Sequence, residues 1–598
     1  MHFNRLMRHE NFRRVWAGVC VVGVALVCLS PIRGSGYFAD DIPNSQWPVN
    51  LRAQGWSIFR AMGWAIDTWR TSEGRFYPVA AFEGVLIFAT FTDRAAFKTM
   101  TWIATALCLV GLFALVGYIA RSIAIGVLAS GWALGAMQFR NWFDPYLSFG
   151  ALLQSVALKL LLGTLALVWG IRCLALKKTA TGVIGITFGS LLCCVAMLQY
   201  EIAILLVIPV ALVMLLEPSP RLRIRSLCAL PVLLFAGTLM IYLSALRSGV
   251  VNSAAYSINL ATDRSIPAFA YQVFGAFPLS ATLMRANGAP GLRDAIGNVS
   301  VVGWFGAIVI ALGIAWLVIT FPIPSRRARV QLLVFGLGLV LLSAVPIAVS
   351  NLRQTQLSWG NSYLPVFIEV LGVGILATVV VIECKRALVV FCNGNPFAPQ
   401  HPRLLNVARW SGGLAIGFVL SLLIVVSYVN NDWASSTTKS WRVEKIAIDQ
   451  AKENGFFDKF SNAEVVTGID ASGFGWMNGT YLNDGSELNL TTSGDVPPGS
   501  IPCSAGLCNA IGKPLYFGDV MISPLSTLVA VWRVSGLDPS GAPILSGSDA
   551  NFFVRGDLPS MCRDDSSSIV QSHEWRYITC DVPTGVIGVV RNVLGVSP

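Results

Sequence analysis

Residues Val15–Asp41 read VWAGVCVVGVALVCLSPIRGSGYFADD. Arg5, Arg8, Arg13 and Arg14 precede them, so the stretch has the charged-then-apolar form of a secretory signal. A cleaved signal needs a small-residue site soon after its apolar run, and SPIRGSGYFADD is a poor one. The stretch reads instead as a retained transmembrane anchor that leads straight into two adjacent carboxylates, Asp40 and Asp41. Unpaired charge beside hydrocarbon is expensive, and two neighbouring carboxylates also repel each other. That combination perturbs pKa values and marks functional sites. The alternative is an acidic turn that is simply solvated.

The remainder of the chain fixes the setting. Of 598 residues, 54% are hydrophobic and 13% charged, with a mean hydropathy of +0.64. Soluble domains carry about 25% charged residues, so a membrane protein is expected. Apolar runs of spanning length recur up to Val429, after which the text turns polar, as in TTSGDVPPGS. The expected organisation is a transmembrane domain over 1–429, with a structured loop at 32–97, and a soluble domain over 430–598. The net charge of +11 lies mostly between apolar runs, where it serves as a topology signal rather than a nucleic-acid surface.

Basic clusters occur at Arg5–Arg14, Arg172–Lys178, Arg221–Arg225, Arg326–Arg329 and Lys385–Arg409. Placing all five inside requires an even number of crossings between successive clusters. Eleven helices satisfy this, at about 15–31, 98–120, 122–137, 147–172, 180–199, 201–217, 226–247, 300–321, 329–350, 361–383 and 408–429. The run at 78–93 must then not cross. The N-terminus is expected inside and the C-terminal domain outside. WSIFRAMGWAIDTW, Trp56–Trp69, spaces its large apolar residues three and four apart, as a helix lying in the interface does. Cys503, Cys508, Cys562 and Cys580 are confined to the soluble part. An even number there predicts two disulfides and an oxidising compartment, with Cys503–Cys508 and Cys562–Cys580 chosen by proximity among three pairings.

This topology gathers polar residues at the outer helix ends: Arg75 and Tyr77, Asp144, Tyr200 and Glu201, Arg285, Arg353 and Tyr363. Each has an ordinary explanation. A lone Arg at a helix end is usually an anchor, Asp144 before Pro145 is a common turn starter, and Glu201 in a short turn suits solvation.

ADD at Ala39–Asp41, the interfacial helix, GRFYP at Gly74–Pro78 and an acid at a later outer turn together resemble the GT-C glycosyltransferases. The likeness covers the membrane domain of about 430 residues. It implies an inverting transfer of sugar from a polyprenyl-phosphate donor to a glycan, lipid or protein acceptor at the outer face. One of Asp40 and Asp41, Asp40 by its place in the motif, would be the general base. Asp41 would orient the acceptor or hold a divalent cation, Mg or Mn. Arg353, Arg285 and Arg75 would bind the donor phosphate, since guanidinium pairs bidentately with it. Glu201, Tyr200, Asp144 and Tyr363 would contact acceptor or sugar. A bacterial inner membrane is expected on the resemblance alone, with bilayer lipid and no nucleic acid as partner. The alternatives are an O-antigen polymerase or ligase, against which all four histidines lie away from the outer loops, and a lipid-linked-glycan transporter. Transporters carry mid-membrane charge or repeated halves, and the sequence reading finds neither.

Overall fold

The computed structural model describes residues 2–36, 41–44, 47, 51, 55–91, 94–140, 144–218, 221–249, 258–394 and 402–437, and nine strands after residue 463. Asp40 lies outside the described residues. Fourteen of the described helices run for 13 residues or more. They are α1 (His2–Cys28), α2 (Ile58–Glu73), α3 (Pro78–Thr90), α4 (Arg94–Ala120), α5 (Ile123–Ala136), α6 (Leu152–Ala175) and α7 (Thr179–Gln199). Then follow α8 (Ile202–Leu215), α9 (Leu222–Gly249), α10 (Thr262–Gly275), α11 (Val301–Thr320), α12 (Arg326–Ala348), α13 (Val366–Gly394) and α14 (Pro402–Thr437). The chain divides into two units, one of Met1–Ser35, Met62–Gly84 and Ala95–Thr437, the other of Gly36–Ala61, Val85–Arg94 and Thr438–Pro598.

Among the described residues, nine helices are long and apolar enough to cross a membrane. The chain is a multi-pass α-helical membrane protein. The expected helices at 122–137 and 201–217 form as α5 and α8, each of 14 residues. At 1.5 Å per residue each is ~21 Å long, short of a hydrocarbon core of ~30 Å. α3, in the run expected not to cross, has 13 residues.

Helix packing follows from small residues. A Cβ on Gly170 would lie 2.8 Å from the Gly182 carbonyl oxygen, and one on Gly189 would lie 2.7 Å from that of Gly163. Only glycine lets the backbones of α6 and α7 touch in this way. The same device recurs between α12 and α13, where a Cβ on Gly372 would lie 2.8 Å from the Gly336 oxygen. α13 is the most buried long helix, whereas α11 presents Val301, Val302 and Phe305 outward, as lipid-facing residues do.

The basic clusters meet at one end of this bundle. Arg172 pairs with Glu217 at 2.5 Å, and Arg225 donates to the carbonyls of Leu215 and Glu217. Arg329 pairs with Glu383. Lys385 donates to the carbonyls of Val318, Ile319 and Phe321 at 2.9, 2.9 and 2.6 Å. Arg225 and Lys385 therefore cap the C-terminal ends of α8 and α11.

α5 ends early because the chain turns irregular at Met137–Arg140 and again at Asp144–Ser148. Bare buried backbone survives only when protein satisfies it, and here it does. Asn431 accepts from Phe139 N at 2.7 Å and donates to the Met137 carbonyl at 3.0 Å. Asn430 donates to the Phe139 carbonyl at 3.0 Å, and Gln154 to that of Pro145 at 2.7 Å. Lys98 donates to the Leu147 carbonyl.

The absence of mid-helix charge expected from the sequence is corrected. Lys159, inside α6, reaches Glu83 on α3 and Gln199 on α7, each at 2.6 Å. Glu369 sits in the first turn of α13, fully buried. A single charge in a long apolar run barely lowers the hydropathy of its window.

In the second unit, Asp41 begins a one-turn helix, Asp41–Asn44, and is 1% exposed. The backbone of the later residues includes β1 (Leu515–Ile522), β2 (Ser526–Leu537) and β3 (Asn551–Gly556), paired antiparallel in that order. Cys562 and Cys580 are register partners on two further antiparallel strands, Cys562–Asp564 and Arg576–Cys580. Cys503 and Cys508 lie outside the described residues, and Cys20, Cys28, Cys108, Cys173, Cys193, Cys194, Cys228 and Cys384 are free thiols.

Candidate functional site

At the opposite end of α8 from the basic clusters, three distant segments converge. The first is Gly74–Tyr77, the link from α2 to α3. Gly74 has φ +63, and a Cβ there would come within 3.1 Å of the Arg247 Cα. The turn and the close approach both demand glycine. The second segment is the Tyr200–Glu201 corner between α7 and α8. The third runs from Arg353, in the short helix Asn351–Gln356, to Tyr363 before α13.

The side chains interlock. The Tyr77 and Tyr200 rings lie 6.0 Å apart, and the Arg75 guanidinium sits 5.5 Å from the Tyr77 ring. Arg75 also pairs with Glu73 at 3.2 Å. Glu201 Oε2 accepts from Arg247, in the last turn of α9, at 2.6 Å. Glu201 Oε1 and the Tyr77 hydroxyl are buried without a hydrogen-bond partner among the described residues. Arg353 donates to the Tyr363 hydroxyl at 2.8 Å and to Gln356 Oε1 at 2.5 Å.

Burial raises the Tyr200 hydroxyl. Tyr363 and Glu201 push it further up, while Arg75 and Arg353 oppose them. The Tyr77 hydroxyl is raised mainly by burial, against the pull of Arg75 and with a further push from Glu201. Tyr200 therefore feels both arginines and the carboxylate at once. Among the described residues, the guanidiniums of Arg75, Arg247 and Arg353 gather here with the carboxylates of Glu73 and Glu201. The guanidinium fork matches the oxygens of a phosphate.

A brace holds the third segment. Gln272 on α10 accepts from Tyr363 N at 2.8 Å and donates to the Tyr363 carbonyl at 3.2 Å. The same amide nitrogen donates to Glu369 Oε1 at 3.0 Å, which also accepts from Ser343 at 3.3 Å. Glu369 Oε2 is buried without a partner among the described residues.

Of the residues expected from the sequence, Arg75, Tyr200, Glu201, Arg353 and Tyr363 come together, and two do not join them. Arg285 lies on the surface, 3.9 Å from Asp294 with both side chains mostly exposed. Asp144 is completely buried in the irregular segment. Its carboxylate accepts from the backbone N–H groups of Arg140, Tyr146 and Leu147 at 2.6, 2.7 and 2.9 Å. Burial pushes this carboxyl up to about 7 against the pull of Arg140 and those three N–H groups. Arg140 itself donates to the carbonyls of Gly360 at 3.2 Å, Gln138 at 3.1 Å and Gly275.

Asp41 belongs to the other unit. No cluster of three His, Cys, Asp or Glu side chains able to hold a metal occurs among the described residues. Sequence reasoning missed Arg247 because an Arg at the end of an apolar run looks like any interfacial anchor. Nothing in the text signals its salt bridge to a residue 46 positions away. No protein-family model matches the chain, and no curated protein matches it.

Proposed function

We propose that the chain is a GT-C-type glycosyltransferase that moves sugar from a polyprenyl-phosphate donor to a glycan, lipid or protein acceptor of the cell envelope. The observation that carries this reading is the meeting of Arg75, Tyr200, Glu201, Arg353 and Tyr363 at the bundle end opposite the basic clusters. A polyprenyl phosphate leaves readily if its growing charge is stabilised, which is the work of Arg353 and Arg75. Tyr363, hydrogen-bonded to Arg353, and the Tyr200–Glu201 corner offer hydroxyl and carboxylate partners to sugar or acceptor. The acceptor hydroxyl needs a base. Asp40 takes that role, with Asp41 orienting the acceptor and inversion at the anomeric carbon as the outcome. The reading includes eleven crossings of a bacterial inner membrane, an inside N-terminus, and a mixed or β-rich outer domain over 430–598 held by disulfides such as Cys562–Cys580.

The test is sugar transfer from a polyprenyl-phosphate donor by purified Asp40→Asn, Asp41→Asn and double variants, with folding checked alongside. Losing a general base lowers the rate by about 10²- to 10⁴-fold. Transfer at the parental rate by the well-folded double variant overturns the reading. One observation favours the transporter alternative: Lys159, Glu83 and Glu369 place charge within the bundle, as translocation paths do. Lipid-linked glycan crossing vesicles without any transfer reaction would establish it.

A further inference from the structure

A cavity lies among the helices at the bundle end that carries the basic clusters. α1, α5 and α11 wall a groove with a volume of about 1350 Å³. Its polar end is formed by Arg121 and Ser122, in the turn before α5, and by Thr320 at the end of α11. Its far end reaches Val24, Leu134 and Ile424. From Ile123 to Leu134 the α5 axis rises ~17 Å, about half of a hydrocarbon core of ~30 Å. The groove is therefore one leaflet deep.

Small residues make it concave. Ala124 and Gly131 form the α5 face, and Gly313 opens the α11 wall, where an added Cβ would meet nothing within 4 Å. Helices immersed in lipid leave such a slot to hydrocarbon, because water gains no partners on an apolar wall. The polar end carries a matching charge. Arg121 is exposed and makes no ion pair with a described residue, and it stands at the positive end of the α5 dipole. The nearby Lys385 is engaged with the carbonyls that close α11.

We propose that this groove holds one acyl chain of an anionic glycerophospholipid whose phosphate meets Arg121. One chain fits the depth of one leaflet, and one guanidinium at the rim selects an anionic over a zwitterionic headgroup. The site lies away from the Tyr200–Glu201 corner, so it stands whether or not the chain transfers sugar.

Native mass spectrometry of the purified full chain, titrated with phosphatidylglycerol or phosphatidylcholine, tests this. The expected result is one tightly retained phosphatidylglycerol, preferred by roughly fivefold for one interfacial cation. Gly313→Phe fills the slot and loses that lipid, with thermal unfolding unchanged in lipid-free detergent. Should Gly313→Phe fold poorly, Val127→Trp blocks the same slot from α5. Arg121→Gln keeps a lipid but makes the two headgroups equal. Retention of phosphatidylglycerol by either filled variant overturns the proposal, as does equal retention of both headgroups by the parent. Preferential retention of a polyprenyl phosphate over phosphatidylglycerol overturns it too.

Discussion

Two regions of this molecule set arginine near carboxylate, and their partners differ. In the irregular stretches Met137–Arg140 and Asp144–Ser148, Arg140 and Asp144 are buried and turned onto backbone, including one carbonyl and three N–H groups of those stretches themselves. At the Tyr200–Glu201 corner, Arg75, Arg247 and Arg353 meet side chains: Glu73, Glu201, Gln356 and Tyr363. Backbone partners hold an irregular segment together, and removing one exposes the rest. Side-chain partners can exchange for a ligand. The same residue types thus serve architecture in one place and, in the function proposed above, recognition in the other.

The comparison breaks most visibly at Arg140. Arg140→Met leaves the Gln138, Gly275 and Gly360 carbonyls buried without their donor, and each buried group left unsatisfied costs ~1–3 kcal/mol. Thermal unfolding of the purified variant should show that loss. A variant as stable as the parent means that the segment does not depend on Arg140. At the corner, Arg353→Gln should leave unfolding nearly unchanged while removing a charge-assisted contact worth ~2–3 kcal/mol, or about 30- to 150-fold in donor affinity. Equal destabilisation by the two variants would erase the distinction.

A smaller effect sharpens it through pH. Asp144 titrates near 7 in the fold, against an ordinary 3.8. The folded chain therefore holds this proton more tightly than the unfolded chain does. Its contribution makes stability fall as pH rises from about 4 to about 7, then level off. Unfolding midpoints of Asp144→Asn and the parent, compared across pH 5 to 8, should show a shallower slope for the variant. The smallest effect is at Gly74. Gly74→Ala meets a positive φ and the Arg247 backbone, and should lower stability by ~1–2 kcal/mol. It should also displace Arg75, so donor affinity falls alongside.

The sequence disclosed the helices because spans of twenty apolar residues have few alternatives in water. It disclosed the level at which Arg75, Tyr200–Glu201 and Arg353–Tyr363 meet, because helix parity puts their segments at one end. It did not separate Arg353 from Arg285, since both are arginines at outer positions and only packing leaves Arg285 in solvent. Asp144 read equally well as turn starter or ligand, and three backbone N–H groups claim its carboxylate. Lys159 and Glu369 were hidden in apolar windows, and Arg247 among interfacial anchors. Partner identity is a property of the third dimension, and a hydropathy pattern does not carry it.

The central claim is that the Tyr200–Glu201 corner receives a phosphate. Its most direct test is the affinity of the purified chain for a polyprenyl monophosphate, measured for the parent, for Arg75→Gln/Arg353→Gln and for Arg285→Gln. Two lost guanidinium contacts at ~1.5–3 kcal/mol each predict a fall of at least about 100-fold in the double variant, with little change on loss of Arg285. Parental affinity in a well-folded double variant, or a loss confined to Arg285→Gln, would contradict it.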